Sequence, residues 1–141
     1  MGSFNSRRYI ATPPQTVWQV LTDPDTLVKG DFGIFGIEGE IAEQSKFKLR
    51  IELTPKQVFS LTVSEFIPDK RMAWRGKLPF GLFIATRQFE LIEVYDGTDF
   101  HMREDFSGLL GRIIGRAIPD LQPSFDKFAD ALKAEAEARA A

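Results

Sequence analysis

One carboxylate, Glu104, stands where a strand pattern places apolar side chains. In the segment FHMREDFSG, Phe100, Met102 and Phe106 alternate with polar residues, as in a strand with one buried face. Glu104 falls on the same side of this strand as the three apolar residues. A carboxylate on an inward face is costly unless a nearby cation compensates its charge. The pattern therefore predicts a cationic partner for Glu104.

The preceding strand-like segment, IATRQFELIEV, supplies that cation at Arg87. The pair Asp96-Gly97 is a strong signal for a two-residue hairpin turn, which would set Phe89 opposite Glu104. Arg87 and Glu104 would then be diagonal neighbours on the inner face, roughly 7–8 Å apart at the backbone. We expect a polar pair in an apolar wall, contacting a ligand or serving only as a salt bridge. In a third interpretation Glu104 lies in water at the open end of the sheet.

Few other side chains could do chemistry. The chain has no cysteine, which excludes disulfides, thiol nucleophiles and Cys-zinc sites, and only one histidine, His101. His101 has the opposite parity to Phe100, so we expect it to face solvent. Neither a transition-metal site nor a Ser-His-Asp triad is therefore predicted, and no cofactor is expected.

Composition limits the class of protein. The chain has 141 residues, 43% of them hydrophobic, and its 13 phenylalanines are enough for a core and for the lining of a cavity. This length predicts a single domain, residues 1–141. A net charge of −2 without a basic run argues against nucleic-acid binding. None of the apolar runs is long enough to span a bilayer, so stable membrane insertion is not expected. The N-terminal segment MGSFNSRRYI lacks the apolar stretch of a secretory signal. A cytoplasmic protein is therefore expected.

Period-two alternation predicts the sheet that would position these residues. The clearest strand is SKFKLRIEL, in which Phe47, Leu49 and Ile51 alternate with charged residues, as in an antiparallel sheet with one wet face. A first strand is predicted over Phe4–Ala11. The segments VFSLTVSEFIP, KRMAWRGKL, IATRQFELIEV and TDFHMREDF complete a sheet of six to seven strands.

Helices are predicted at two places. TPPQTVWQVLTD predicts a helix with Thr12 as its N-cap, and DPDTLVKG predicts a second short helix that ends at Gly30. After Gly108 the apolar spacing changes to a period of 3.6 residues, which predicts one long C-terminal helix. Pro119 and Pro123 should kink or divide it.

The layout resembles the START-like superfamily, also called SRPBCC, the helix-grip fold of birch-pollen-type allergens and polyketide cyclases. The resemblance rests on four segments that cover most of the chain: TPPQTVWQVLTDPD, IEGEIAEQSKFKLRIEL, VSEFIPDKRMAWRGKL, and REDFSGLLGRI with FDKFADALKAEAE. It implies an α+β fold in which a curved antiparallel sheet wraps around the long C-terminal helix, with two short helices between strands 1 and 2.

Among the departures of the chain from that family, one concerns a histidine before the sixth strand. Relatives often carry Gly-Glu-His before the Phe-Glu-Leu of the sixth strand, whereas Ala85, Thr86 and Arg87 stand there in this chain. A role of that histidine in relatives therefore cannot be transferred.

The resemblance and the inward polar pair together predict binding, and possible transport, of a small hydrophobic or amphipathic ligand between the sheet and the C-terminal helix. Arg87 and Glu104 would supply polarity to an apolar lining. The predicted lining residues are Phe47, Leu49, Ile51, Trp74, Phe89, Leu91, Met102, Ile114, Ile118 and Phe125.

Two alternatives stay open. One is an enzyme of the polyketide cyclase or aromatase type that uses Glu104 as the cavity acid or base. The other is a protein-interaction module resembling the domain that activates the Hsp90 chaperone. The identity of the ligand and the oligomeric state are not predicted by the sequence.

Overall fold

A computed structural model of the chain describes residues 3–53, 55–77, 84–107 and 121–140. Within these residues a first strand is followed by two short helices, six further strands and a terminal helix. The helices are α1 (Pro14–Leu21), α2 (Pro24–Lys29) and α3 (Gln122–Ala140). The strands are β1 (Ser3–Ile10), β2 (Ile34–Gly39), β3 (Lys46–Ile51), β4 (Phe59–Ile67), β5 (Arg71–Lys77), β6 (Ile84–Val94) and β7 (Gly97–Ser107).

The seven strands form one antiparallel sheet in the order β1-β7-β6-β5-β4-β3-β2. Burial alternates along the strands, and in β3 Phe47 and Leu49 are buried between exposed charged residues. The sheet therefore has one apolar face, and it curls around that face. The predicted α+β helix-grip architecture, with two short helices between the first two strands, is confirmed. No helix in the described ranges is long and apolar enough to cross a bilayer.

Helix α1 starts differently from the prediction. Pro13, with an extended backbone (φ −63°, ψ 154°), is the N-cap residue, and no side chain caps the helix. The prediction that Thr12 is the cap was therefore wrong, because the N-cap position falls one residue later. Thr12 instead accepts a 2.8 Å hydrogen bond at its carbonyl from the Thr98 hydroxyl, which ties the start of α1 to β7.

Helix α3 packs one apolar side onto the sheet. Its fully buried residues follow helical spacing: Phe125, Phe128, Ala129, Leu132 and Ala136. The described helix begins at Gln122. The predicted part of the C-terminal helix before residue 121, including Ile114 and Ile118, lies outside the described residues.

The other side of α3 covers the free edge of β1, and we call this contact the α3–β1 interface. The Ser6 hydroxyl donates to Asp126 at 2.7 Å, and the Arg8 guanidinium donates to Asp130 at 2.7 Å. Lys133 and Glu137 of α3 bond the edge backbone itself: Lys133 donates to the carbonyl of residue 9 at 2.7 Å, and Glu137 accepts from the amide of residue 11 at 2.8 Å. Covering an edge strand in this way blocks unwanted strand pairing.

The β6–β7 hairpin corrects the predicted register. Val94 pairs with Gly97, so the turn is Tyr95-Asp96 and each strand pairing shifts by two residues. Gly97 belongs to β7, where a Cβ atom would collide with the backbone oxygen of Ile10. The glycine therefore permits close approach of β1 to β7 and is not a turn residue. The inward parity of the residues was predicted correctly, but their partners were not.

Candidate functional site

The corrected register sets Arg87 directly opposite Glu104, where a diagonal relation had been predicted. Arg87 donates its Nε–H to Glu104 Oε1 at 2.7 Å. The two side chains are 18% and 12% exposed, so both are mostly buried but neither is sealed from solvent. A charge-assisted hydrogen bond of this length compensates much of the cost of placing the carboxylate on an inner face.

The ion pair lies within an otherwise apolar row that crosses five strands. On the inner face, Phe4 of β1 pairs with Glu104, Arg87 pairs with Trp74 of β5, and Trp74 pairs with Val63 of β4. Cross-strand partners on one face have Cβ atoms within about 5.5 Å. The charged pair is therefore flanked by aromatic side chains on both sides.

Helix α3 supplies aromatic rings above the pair. The guanidinium carbon of Arg87 lies 4.8 Å from the ring centroid of Phe125 and 5.8 Å from that of Phe128. Both distances are within the range of a cation–π interaction. The guanidinium is thus held between a carboxylate on the sheet and two rings on the helix, which fixes its position.

The predicted lining residues that the structure describes lie on this inner side. Phe47 packs edge-on against Trp74 at 5.1 Å, and Trp74 packs against Phe89 at 4.8 Å between centroids. Phe89 in turn lies 5.7 Å from Phe128 of α3. Leu49, Leu91, Met102 and Phe125 are also buried, and Ile51 is partly buried. The sequence reasoning left Phe128 out of the lining, although its spacing of three from Phe125 could have identified it.

Two residues at the site carry hydrogen-bond donors that have no acceptor among the described residues. The indole Nε1 of Trp74 is buried and unpaired. Arg87 uses Nε for Glu104, and its terminal amino groups donate to no described residue. Buried N–H groups without a partner are rare in proteins, since each loses its hydrogen bonds to water. The site therefore offers unused donors beside a compensated charge.

His101 lies on the opposite, outer face of the sheet. It pairs with Arg7 of β1, and its Nε2 is 3.3 Å from Asp99 Oδ2. The pKa of Asp99 is lowered, chiefly by the hydrogen bond from Arg7. This group of charges is separated from the Arg87–Glu104 pair by the sheet.

Two clefts of about 470 and 440 Å³ occur in the described part of the chain, and both are lined by Arg71 and Glu90. Neither is lined by Arg87 or Glu104. Because charged side chains line both, neither cleft has the predominantly apolar lining of a typical small-molecule pocket.

Comparison with known proteins gives one family. Residues 1–137 match the family model described as polyketide cyclase/dehydrase and lipid transport. No curated protein sequence matches the chain.

Solved structures share the fold at low identity. The hypothetical protein jhp0584 from Helicobacter pylori is 17% identical, with a TM-score of 0.78, and the match covers 96% of this chain and 88% of that one. The Aha1 dimer from Colwellia psychrerythraea is 21% identical, with a TM-score of 0.73 and 97% coverage of both chains. DynU16, from the dynemicin biosynthetic locus, is 15% identical, with a TM-score of 0.71 over 97% of this chain and 48% of that one.

Proposed function

The chain belongs to the polyketide cyclase/dehydrase and lipid transport family, and from that membership we propose that it binds a small hydrophobic or amphipathic molecule against the inner face of its sheet, beneath α3. The observation that carries the proposal is the Arg87–Glu104 ion pair, which is set among aromatic side chains on the inner face. Ligand sites of this class combine an apolar lining with a few polar groups that fix orientation.

Accessibility separates the pair from the rest of the core. Trp74 and Phe89 are each 1% exposed, whereas the Arg87 side chain is 18% exposed. A purely structural salt bridge gains little from being placed among aromatic rings, because desolvation offsets its Coulomb energy. The ion pair, in contrast, keeps part of its surface accessible on the inner face, where a ligand can contact it. The proposed ligand lays its apolar body on the aromatic rings and its polar end on this pair.

Purification followed by native mass spectrometry tests the proposal first, because a ligand retained from the host gives a mass adduct. A panel of fatty acids, steroids and aromatic polyketides is then screened by thermal denaturation. A ligand that binds only the native state must raise the melting temperature. If no adduct forms and no class stabilises the protein, the proposal is contradicted.

A matched pair of arginine variants locates the site. Arg87→Leu should weaken binding of any stabilising ligand about tenfold, the effect of losing one charged hydrogen bond. Arg103→Leu on the same hairpin is the control, because Arg103 is 58% exposed and pairs with Asp105 on the outer face. Equal affinity in the two variants would place the ligand elsewhere.

The enzymatic alternative has one observation in its favour. Glu104 uses only Oε1 to bind Arg87, so its second oxygen is open to a substrate proton. In a cyclase-type reaction this carboxylate would act as the cavity acid or base. Glu104→Gln should then abolish turnover of a polyketide substrate while leaving its binding measurable. Unchanged turnover in this variant would dismiss the alternative.

A further inference from the structure

We propose that the indole N–H of Trp74 donates a hydrogen bond to a carbonyl oxygen of the bound molecule, which makes the ligand a neutral, largely apolar carbonyl compound. This inference deepens the proposed function and depends on it. It assigns to Trp74 a recognition role beside its packing role, and it selects one chemical class from the hydrophobic molecules that the inner face could accept.

The first argument is the unused donor. Trp74 is 1% exposed, and its Nε1 has no hydrogen-bond acceptor in the described residues. The rings of Phe47 and Phe89 contact the indole edge-on, with interplanar angles of 77° and 68°. Such rings offer at most an N–H···π contact, which is weaker than a bond to oxygen. A ligand oxygen at this position would recover the hydrogen bond that the indole lost on burial.

The second argument is the position of this donor. Trp74 of β5 pairs directly with Arg87 of β6, so the two side chains are neighbours on the inner face. The terminal amino groups of Arg87 also donate to no described residue. Donors of two residues thus lie side by side, and neither residue can accept a hydrogen bond from a ligand. The donors of Trp74 and Arg87 therefore match an oxygen acceptor on the ligand.

The third argument is charge. Glu104 already neutralises Arg87 at 2.7 Å, so the pair has no net charge. A carboxylate ligand would add an uncompensated negative charge in apolar surroundings, and an ammonium ligand would add a positive one beside the donors. A hydrocarbon would leave the indole N–H unpaired. A neutral carbonyl satisfies the donor without adding charge.

Four probes with the same two phenyl rings separate these cases: benzophenone, diphenylmethane, diphenylacetate and diphenylmethylamine. Dissociation constants are measured by titration calorimetry. Benzophenone should bind about tenfold more tightly than diphenylmethane, since the two differ in one hydrogen-bond acceptor. The two charged probes should bind more weakly than benzophenone.

The indole proton gives a direct readout. The chain has two tryptophans, so its NMR spectrum contains two indole N–H resonances, and Trp18→Phe identifies the one from Trp74. Benzophenone should move the Trp74 resonance downfield, as a new N–H···O bond requires, while Trp18 in α1 serves as the internal control. This measurement uses the wild-type protein and does not depend on the stability of any Trp74 variant.

The matched substitution is Trp74→Phe, which keeps an aromatic ring and removes the N–H. It should abolish the preference for benzophenone over diphenylmethane, and Trp18→Phe should preserve it. Equal affinities for these two probes in the wild-type protein, or benzophenone binding that leaves the Trp74 resonance in place, would overturn the inference and leave the proposed function standing. Tightest binding of diphenylacetate would also overturn it, in favour of an anionic ligand. No binding by any of the four probes would count against the proposed function itself.

Discussion

Two sets of ionic contacts in this protein use the same side-chain types in different surroundings. At the α3–β1 interface, Asp126 and Asp130 are 43% and 64% exposed and bind Ser6 and Arg8 of the edge strand. On the inner face the Arg87–Glu104 pair is 18% and 12% exposed and lies among aromatic rings. The first set is a network on the surface, and the second is an isolated couple in apolar surroundings.

The difference separates architecture from recognition. Exposed ion pairs each contribute little, but a network that also bonds the backbone can fix a helix on a strand edge. The interface anchors α3 to β1 through contacts that do not involve the inner pair. A buried pair is weak evidence for stability, since apolar residues of similar size often stabilise a protein as well or better. This reasoning supports a ligand-contacting role for Arg87 and Glu104.

The largest effect should follow from breaking the inner pair on one side. Arg87→Leu leaves the Glu104 carboxylate without its donor, and the free energy of unfolding should fall by about 2–4 kcal/mol. The double variant Arg87→Leu/Glu104→Leu removes both charges and should recover most of that loss. Urea denaturation of the two variants measures both quantities.

The double variant tests whether the charges of Arg87 and Glu104 stabilise the protein only as a pair. Equal losses in the single and double variants would mean that the two charges are not coupled and that the inner pair behaves like a surface contact. Arg103→Leu on the outer face of β7, where Arg103 binds Asp105 at 3.0 Å, is the control and should cause no measurable change.

The sequence predicted the fold and the faces of the sheet well, since both follow from local periodicity. Alternation along β3, β6 and β7 placed Arg87 and Glu104 on the inner face without any structure. The exact pairing could not be predicted, because Asp96-Gly97 has the composition of a turn. Gly97 is instead required by the close approach of Ile10 on β1, a contact between residues far apart in the sequence.

The finer features of the candidate site depend on such distant contacts. The unpaired state of the Trp74 N–H follows from where the rings of Phe47 and Phe89 lie, and no residue spacing encodes it. The α3–β1 interface was likewise missed, since Ser6 and Asp126 are 120 residues apart. Sequence reasoning thus identified which residues face inward but not which of their polar groups are satisfied.

A smaller effect is expected from one hydrogen bond of the α3–β1 interface. Ser6 is buried and donates to Asp126 at 2.7 Å, so Ser6→Ala should lower the free energy of unfolding by about 1 kcal/mol. Ser3→Ala, at an exposed position of the same strand, is the matched control and should leave the urea midpoint unchanged. A loss from Ser6→Ala as large as that from Arg87→Leu would remove the distinction between the two regions.

The smallest effect is a pH dependence to which carboxylates of the α3–β1 interface contribute. The hydrogen bonds from Ser6 and Gln122 lower the pKa of Asp126, and the backbone amide of Ala11, followed by Lys133, lowers the pKa of Glu137. Carboxylates with lowered pKa values bind fewer protons in the folded state than in the unfolded state. Their stabilisation is therefore present above the unfolded pKa of about 4 and is lost as the pH falls through the folded values.

Urea midpoints measured between neutral pH and about pH 3 test this dependence in the acid range where these carboxylates titrate. Asp126→Asn should show a shallower loss of stability in acid than the wild-type protein, because one of the titrating groups is gone. Ser6→Ala should flatten the loss in the same direction, since it removes the first cause of the lowered pKa of Asp126. An acid dependence identical in all three proteins would show that the interface carboxylates do not control acid stability. Stability in acid would then have to depend on carboxylates outside the α3–β1 interface. The structural role assigned to the interface carboxylates would be contradicted in that pH range.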